Sequence, residues 1–247
     1  MKAIPIQGQG TSPRAWKDPR LLAQVATIDC AQLVPRQCRA VVISTHPADE
    51  VLGFGGLLQW LAREQRHILL ISLSDGTSNH PGSSYWTPQR LSIARPLESA
   101  DALKRLGLPL NRMQWVHGGF SDTRMADQQA ELSAFLDTYL QASDVVFAPW
   151  SEDADSDHGA AERAARSAAQ RSGARLHEMP MDAWQGSPLP WSRARRLPLD
   201  KWMQARKRHA MQAFASLLYR DPASGHGPLF EARDLEPLQQ SFEVVLL

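Results

Sequence analysis

Two short clusters of histidine and acidic residues are the parts of this sequence best suited to do chemistry. The first, His46-Pro47-Ala48-Asp49-Glu50, follows an apolar run. His46 and Asp49 are three residues apart, so their side chains can converge on one point in a turn or in the first turn of a helix. An imidazole nitrogen and a carboxylate oxygen that converge can form half of a metal site. Asp49 and Glu50 equally suit a helix N-terminus, where carboxylates complement the helix dipole, so this cluster alone leaves both interpretations open.

The second cluster is Asp153-Ala154-Asp155-Ser156-Asp157-His158, which follows another apolar run and precedes an alanine-rich segment. His158 could supply a second imidazole to the same metal. Taken alone, a histidine in this place is more often an ordinary residue of a helix N-terminus than a ligand. The two clusters therefore indicate a metal site only if the fold brings them together.

The order of apolar strands and amphipathic helices predicts how the clusters are positioned. Predicted strands cover residues 39–45, 67–73, 113–116, 144–150 and 242–247, and predicted helices cover residues 51–63, 88–106, 126–141, 159–171 and 199–218. Residues 181–198, with three prolines, are predicted to form a long loop. Alternating strands and helices at this spacing indicate an α/β fold with a mostly parallel sheet flanked by helices on both faces.

The predicted sheet places three polar clusters at one edge. Residues 45–50, 74–80 and 150–158 each follow a strand, and ligands of such sheets bind at the carboxyl ends of the strands. His158 can therefore point at the same place as His46 and Asp49. Two histidines and one carboxylate with an open fourth position suit a catalytic zinc ion.

The composition excludes several other classes of protein. The chain has 247 residues, of which 43% are apolar and 21% charged, and a formal net charge of +1, so there is no electrostatic basis for binding nucleic acid. No apolar stretch approaches the ~18–20 residues that span a membrane. Cys30 and Cys38 are the only cysteines, which predicts a reducing, cytoplasmic location. We expect a single domain over residues 1–247, with residues 1–38 as an N-terminal extension packed on it.

The motifs resemble those of the PIG-L-type, LmbE-like family of zinc-dependent N-deacetylases. The first motif of that family reads His-Pro-Asp-Asp-Glu after a strand, and the later one reads Pro-x-x-x-Asp-x-His-x-Asp-His. The positions that match the family are His46, Pro47, Asp49, Glu50, Asp75, Gly76, Arg95, Glu98, Ala102, Leu106, Gly107, Pro149, Asp153, Asp157, His158 and the closing strand from Phe242. The resemblance covers the chain from about residue 39 onward.

The resemblance implies a Rossmann-like α/β fold and hydrolysis of an acetamido group on an amino sugar or its conjugate. His46, Asp49 and His158 match the zinc ligands of the family. Zinc would polarise the amide carbonyl and lower the pKa of a bound water molecule. The implied partner is a small N-acetylated sugar or glycoconjugate, and a homo-oligomer is left open.

Three positions depart from the family pattern. Ala48 replaces the aspartate that is the usual general base, Asp155 replaces the histidine that usually stabilises the oxyanion, and Trp184-Gln185-Gly186 replaces a Trp-His-Trp sequence. An alanine cannot move a proton, and loss of a general base costs on the order of 10²–10⁴ in rate.

Two hypotheses follow from these departures. In the first, another residue has taken over as general base: Asp155 is the first candidate, Asp75 the second and Glu50 the third. Asp157, which precedes the expected ligand His158, is also a candidate catalytic residue. In the second, the protein is a catalytically degenerate relative that binds zinc and a sugar or partner without efficient turnover.

Three further residues are candidates for binding substrate. Arg95 could meet a substrate hydroxyl or phosphate, although an ion pair with Glu98 is an equal alternative. His80 could reach the cleft from its loop, although a surface histidine is the ordinary case. Trp184 could form part of a sugar platform, and core packing would explain it equally well.

Overall fold

One twisted sheet organises the molecule. The computed structural model of the protein describes residues 24–181, 189–231, 234–235, 238 and 240–247. In these ranges the strands are β1 (Ala40–Ser44), β2 (Ile68–Ser72), β3 (Gln114–His117), β4 (Val145–Pro149), β5 (Arg175–Met179), β6 (Ala194–Pro198) and β7 (Phe242–Leu246). They form a seven-stranded sheet in the order β3-β2-β1-β4-β5-β7-β6. The first five strands pair in parallel, and β7 pairs antiparallel with both β5 and β6.

Helices cover both faces of this sheet. The helices of the described chain are α1 (Cys30–Leu33), α2 (Asp49–Leu52), α3 (Gly55–Arg63), α4 (Pro88–Leu106), α5 (Gln129–Asp137), α6 (Ser156–Ser172), α7 (Lys201–Met211) and α8 (Ala215–Leu218). Alternate residues of β1 enter two different cores: Val42 packs with α3, α4 and α7, whereas Val41 packs with α5 and α6. The prediction of a Rossmann-like, mostly parallel α/β fold is therefore confirmed.

The C-terminal part of the sheet differs from the prediction. Two strands, β5 and β6, were not expected, and β6 lies in the predicted proline-rich loop. Their sequences, RLHEM and ARRLP, are half polar, so they lack the apolar run by which a strand buried on both faces is recognised. Arginines on β6 suit its place at the sheet edge, where charged side chains discourage pairing with other chains.

Four predicted helices have different boundaries. The segment predicted as one helix over 51–63 forms two, α2 and α3, which are separated at Gly53 and Phe54. The segment predicted as 126–141 begins as a 3-10 turn, Met125–Gln128, and its α-helix ends at Asp137. The segment predicted as 199–218 is broken between α7 and α8. Helix α6 begins at Ser156 rather than at residue 159, because Asp155 caps it by accepting a hydrogen bond from the Asp157 backbone.

The strand register brings the two histidine clusters together. Strands β1 and β4 are neighbours, with Ala40 opposite Val145. Because they are parallel, the segments that follow them leave the sheet at the same edge.

No helix among the described residues is long and apolar enough to cross a membrane.

A buried ion pair holds the helices behind the site. Lys207 Nζ lies 2.6 Å from Glu243 Oε1 and donates to the Leu52 carbonyl at 2.9 Å. Glu243 also accepts the backbone N–H groups of Gly56 and Leu57, at 2.6 and 2.8 Å. The pair therefore joins β7 and α7 to the end of α2 and the start of α3.

We expect Lys207→Met to lower the free energy of unfolding by about 3–5 kcal/mol, because it leaves the Glu243 carboxylate buried without its cation. Urea unfolding of the two proteins measures the difference. The matched control is Arg63→Ala, which breaks the exposed Arg63–Asp200 pair and should cost less than about 1 kcal/mol. A loss of under 1 kcal/mol in Lys207→Met would contradict this role of the buried pair.

Candidate metal centre

The first histidine cluster forms a tight turn after β1. The Asp49 backbone donates to the His46 carbonyl at 3.2 Å, and the His46 backbone donates to Asp49 Oδ2 at 2.8 Å. Ala48 has φ 85° and ψ −19°, the conformation of the third residue of a type II turn with Pro47 at its preferred second place. This left-handed conformation costs an alanine about 1–2 kcal/mol. The turn therefore has a backbone conformation that alanine does not favour.

The second cluster is fixed by the first turn of α6. Asp155 is the N-cap of this helix, and Asp157 and His158 lie in its first turn. The Asp157 carboxylate accepts the backbone N–H groups of Thr123 and Met125, at 2.7 and 3.1 Å. Asp157 therefore ties the loop after β3 to the start of α6, and its buried side chain has a structural partner on each oxygen.

The two clusters meet at their side chains. His158 Nε2 lies 3.3 Å from Asp49 Oδ2, and His46 Nε2 lies 3.4 Å from Asp155 Oδ2. The two imidazole rings are 5.8 Å apart between centroids. His46, Asp155 and His158 each offer one ligand atom, and these atoms lie within 4.8 Å of one another. Two carboxylates thus stand between the rings: Asp49, which contacts Nε2 of His158 and the backbone of His46, and Asp155, which faces Nε2 of His46. That Asp49 rather than Asp155 is the third ligand stays a prediction.

Carboxylates also stand behind both imidazole rings. His46 Nδ1 lies 3.2 Å from Asp122 Oδ1, and His158 Nδ1 lies 3.5 Å from Asp153 Oδ2. Histidines that bind metals almost always have a carboxylate or carbonyl on the nitrogen that does not face the metal, which fixes the ring and its tautomer. This donor set, with Nε2 of both rings turned inward, fits a divalent cation such as zinc.

The pKa values of the site residues also fit a centre that binds a cation. Burial by itself would lower the pKa of His46, but hydrogen bonds to Asp122 and Asp155 raise it to about 10. Burial likewise opposes protonation of His158, and Asp49 and Asp153 raise its pKa well above the usual value. Burial would raise the pKa of Asp155, yet its hydrogen bond to His46 and the charge of His158 hold it well below its usual range. Without a metal, protons on both rings balance the surrounding carboxylates.

A cleft opens onto these groups. Its volume is about 330 Å³, within the range of about 300–1,000 Å³ of small-molecule sites. The polar residues that line it are His46, Asp49, Asn79, Asp122, Thr123, Asp155, His158 and Asp234. The Asp155 side chain is 39% exposed, so one of the carboxylates of the centre remains open to a ligand.

Asp75 and His80 are not among the residues that line this cleft. Asp75 lies 3.8 Å from His117 Nδ1 and is not part of the cleft lining. His80 Nε2 lies 2.8 Å from the Ser216 carbonyl, which ties its loop to α8. Trp184 falls outside the described residues.

Arg95 lies behind the cleft wall. Its side chain is fully buried, and no described residue accepts a hydrogen bond from its guanidinium. Gly76, at φ 61°, makes room for it, since an added Cβ would overlap Arg95 Nη1. Burial lowers the pKa of Arg95 to about 10, an effect that the charges of Asp122 and Glu98 oppose.

Asp122 is a site residue that the sequence analysis missed. Besides its contact with His46, its Oδ2 accepts the Ser78 backbone N–H at 3.0 Å. It follows β3, so the rule that polar residues gather at the carboxyl ends of strands would have found it.

Comparison with known proteins decides the family. The PIG-L family model, described as GlcNAc-PI de-N-acetylase, matches residues 41–169, just over half of the chain. The chain belongs to the PIG-L family. The matched region contains β1 to β4 and both clusters of the metal centre. No curated protein matches the chain.

Solved structures show the same fold at low sequence identity. The zinc-inhibited form of teicoplanin deacetylase Orf2 is 17% identical, with a TM-score of 0.60, and the match covers 84% of this PIG-L chain and 97% of the other. N,N'-diacetylchitobiose deacetylase from Pyrococcus horikoshii is 18% identical, with a TM-score of 0.51 and coverage of 71% and 68%. GalB, the 4-carboxy-2-hydroxymuconate hydratase of Pseudomonas putida KT2440, is 16% identical, with a TM-score of 0.55 and coverage of 85% and 94%. Because this fold carries a hydratase as well as deacetylases, the activity has to be argued from the site.

We expect zinc binding at pH 7 to release close to two protons per ion. Metal-free His46 and His158 have raised pKa values and are therefore protonated at pH 7, whereas only neutral imidazoles bind metals. Isothermal titration calorimetry in buffers of different ionisation enthalpy measures the number of protons. His46→Ala should bind zinc far more weakly, and release of no protons by the native protein would contradict the assigned ligands.

We also expect Asp122→Asn to weaken zinc binding by about 10–100-fold, the usual effect of losing a carboxylate behind a ligand histidine. Competition with a chromophoric chelator measures the affinity. The matched control is Asp127→Asn, in the 3-10 turn that follows this loop, whose carboxylate is exposed and pairs with Arg124. Equal affinities in the two variants would show that Asp122 does not support His46.

Proposed function

We propose that this PIG-L chain is a zinc-dependent N-deacetylase that acts on an amino sugar or an amino-sugar conjugate and uses a non-standard general base. The observation that carries the proposal is the convergence of His46, Asp49 and His158, each ring with a carboxylate at its second nitrogen. Family membership makes amide hydrolysis the expected chemistry, and the described cleft gives a substrate access to the centre.

The reaction is hydrolysis of an amide. A water oxygen forms a bond to the acyl carbon, the carbon–nitrogen bond breaks, and the products are a carboxylate and an ammonium ion. His46, Asp49 and His158 would hold the zinc ion, which supplies a Lewis acid for the carbonyl and acidifies the attacking water. The residues of the chain must then accept one proton from that water and deliver one to the departing nitrogen.

Asp155 is the best placed group for moving the proton. Ala48 has no proton acceptor, whereas the Asp155 carboxylate lines the cleft and lies 3.4 Å from His46 Nε2. Its pKa lies below the usual range, so Asp155 is ionised at neutral pH. Asp75 lacks this access, since it does not line the cleft.

The polar lining of the cleft suits an amino-sugar substrate. Asn79 and Thr123 can exchange hydrogen bonds with hydroxyl groups, and the carboxylate of Asp234 can accept them. Arg95 is one layer deeper, so we propose that it acts through the charge of Asp122 rather than by touching the sugar. The identity of the sugar, a cytoplasmic location and a homo-oligomer stay predictions from the sequence.

Ala48 favours a second candidate function, a degenerate PIG-L protein that binds zinc and a sugar without efficient turnover. The family's usual base is missing at this position, and the left-handed backbone conformation of residue 48 is kept. Aspartate tolerates that conformation better than alanine. Restoring the aspartate therefore tests both candidates without changing the turn.

We expect the zinc-loaded native protein to release acetate from N-acetylglucosamine conjugates, and Asp155→Asn to lower kcat/KM by about 10²–10⁴-fold, the usual effect of removing a general base. Acetate release is the measurement, and zinc content is determined in the same samples. Asp75→Asn is the matched control, and its activity should remain within about twofold of the native value.

The outcomes separate the alternatives. Full activity in Asp155→Asn would remove Asp155 as the base, and a parallel loss of zinc would make it a ligand instead. An inactive native protein with activity gained in Ala48→Asp would favour the degenerate protein.

A further inference from the structure

The cleft has a second, apolar part. Six apolar residues line it together with the polar groups of the metal centre: Pro47, Leu52, Met181, Leu217, Leu229 and Phe230. Four of them come from the chain beyond β5, outside the residues that match the family model. Leu229 is 37% exposed although it is a large apolar side chain. This apolar surface is continuous with the centre that would bind the amide.

The apolar residues are held in place by the same groups that build the centre. Asp153, which stands behind His158, accepts the Met181 backbone N–H at 2.9 Å. Met181 packs against Gly53, where an added Cβ would overlap its sulfur atom. The position of Met181 is therefore coupled to the position of a ligand histidine.

A second set of contacts fixes the opposite end of the apolar lining. The backbone N–H groups of Leu229 and Phe230 both donate to the Leu217 carbonyl, at 2.9 and 3.1 Å. Leu217 itself is buried, and Phe230 packs against the core that contains Val42. The segment 229–230 is thus attached to α8 and presents its side chains to the cleft.

We propose that this apolar part of the cleft binds the acyl chain of the substrate, so that preferred substrates are N-acyl amines whose acyl group is longer than acetyl. This inference rests on the proposed amide hydrolysis and specifies its substrate. An acetyl group needs only a small space beside the carbonyl. A chain of four to eight carbons, by contrast, would cover the side chains of Leu217, Leu229 and Phe230.

The distribution of charge assigns the acyl group to this surface rather than the amine. The amine product becomes an ammonium ion, which the partly exposed carboxylate of Asp155 would stabilise. Sugar hydroxyls need hydrogen-bond partners when they are buried, and Leu229 or Phe230 offers none from its side chain. An alkyl chain has no such need and gains from every methylene that leaves water.

The test uses glucosamines acylated with acetyl, butanoyl, hexanoyl or octanoyl groups. We expect kcat/KM for carboxylate release by the zinc-loaded protein to rise about threefold to fourfold per buried methylene until the cleft is full. A second series carries the same alkyl lengths on the anomeric oxygen and keeps the N-acetyl group. In that series kcat/KM should rise little with alkyl length. A rise in kcat/KM with the anomeric chain, and not with the acyl chain, would overturn the assignment of the acyl chain to the apolar part of the cleft.

A binding experiment separates this inference from the proposed hydrolysis. Glucosamines with methanesulfonyl to octanesulfonyl groups on the nitrogen resist hydrolysis, and calorimetry gives their dissociation constants with the zinc-loaded protein. We expect tighter binding with each added carbon whether or not amides are turned over. Affinity that is independent of chain length would overturn the inference, even if acetate release supports the proposed function.

Two substitutions at the mouth of the cleft complete the test. Leu229→Asp and the milder Leu229→Ala should both lower the ratio of kcat/KM for the octanoyl substrate to that for the acetyl substrate. They should also lower the ratio of the affinity for the octanesulfonyl compound to that for the methanesulfonyl compound. Both effects should be larger in Leu229→Asp. The matched control is Leu97→Asp, an exposed leucine on α4 outside the cleft, which should leave both ratios unchanged. Unchanged ratios in both Leu229 variants would contradict the proposed chain-binding surface.

Discussion

The carboxylate of Asp49 is the contact on which the whole site depends. One of its oxygens accepts the backbone N–H of His46 and also lies 3.3 Å from Nε2 of His158. The turn after β1 and the helix after β4 therefore meet at a single atom. This is possible only because the two strands are parallel neighbours, so that their carboxyl ends share an edge.

Concentrating this much negative charge has an energetic cost that a cation would offset. In the metal-free protein the offset comes from protons on the two histidines, whose pKa values are raised for that reason. The same electrostatics make the site selective for a positive charge and leave Asp155 ionised. Ala48 contributes no charge to the turn, although its backbone keeps a conformation that an aspartate would occupy with less strain. The chain thus keeps the backbone turn of this centre without a carboxylate at position 48, and we propose that Asp155 moves the protons instead.

The sequence predicted those features that depend on local apolar patterns. Strand β1 and helix α4 were recognised because continuous apolar runs and 3.6-residue periodicity need no tertiary information. Strands β5 and β6 were missed because half of their residues are polar and their pairing partners are distant in the chain. The candidate ligands came from residue spacing and the predicted strand order, and the family resemblance agreed with them.

Side-chain direction and long-range contacts could not be predicted in the same way. Asp75 and Asn79 follow the same strand, yet only Asn79 lines the cleft, and the sequence does not tell which way each points. Asp122 became recognisable once its contact with His46 across 76 positions was visible. The apolar lining from Leu217 and Leu229 likewise depends on a loop that returns to α8 through two backbone hydrogen bonds.

The most direct test of this account is anomalous diffraction at the zinc edge from crystals of the zinc-loaded protein. We predict one zinc ion bound by Nε2 of His46, Nε2 of His158 and a carboxylate oxygen of Asp49, at about 2.0–2.2 Å. The Asp155 carboxylate should lie beside the ion without binding it. A zinc ion bound by Asp155 in place of Asp49, or no zinc between the two histidines, would contradict this prediction.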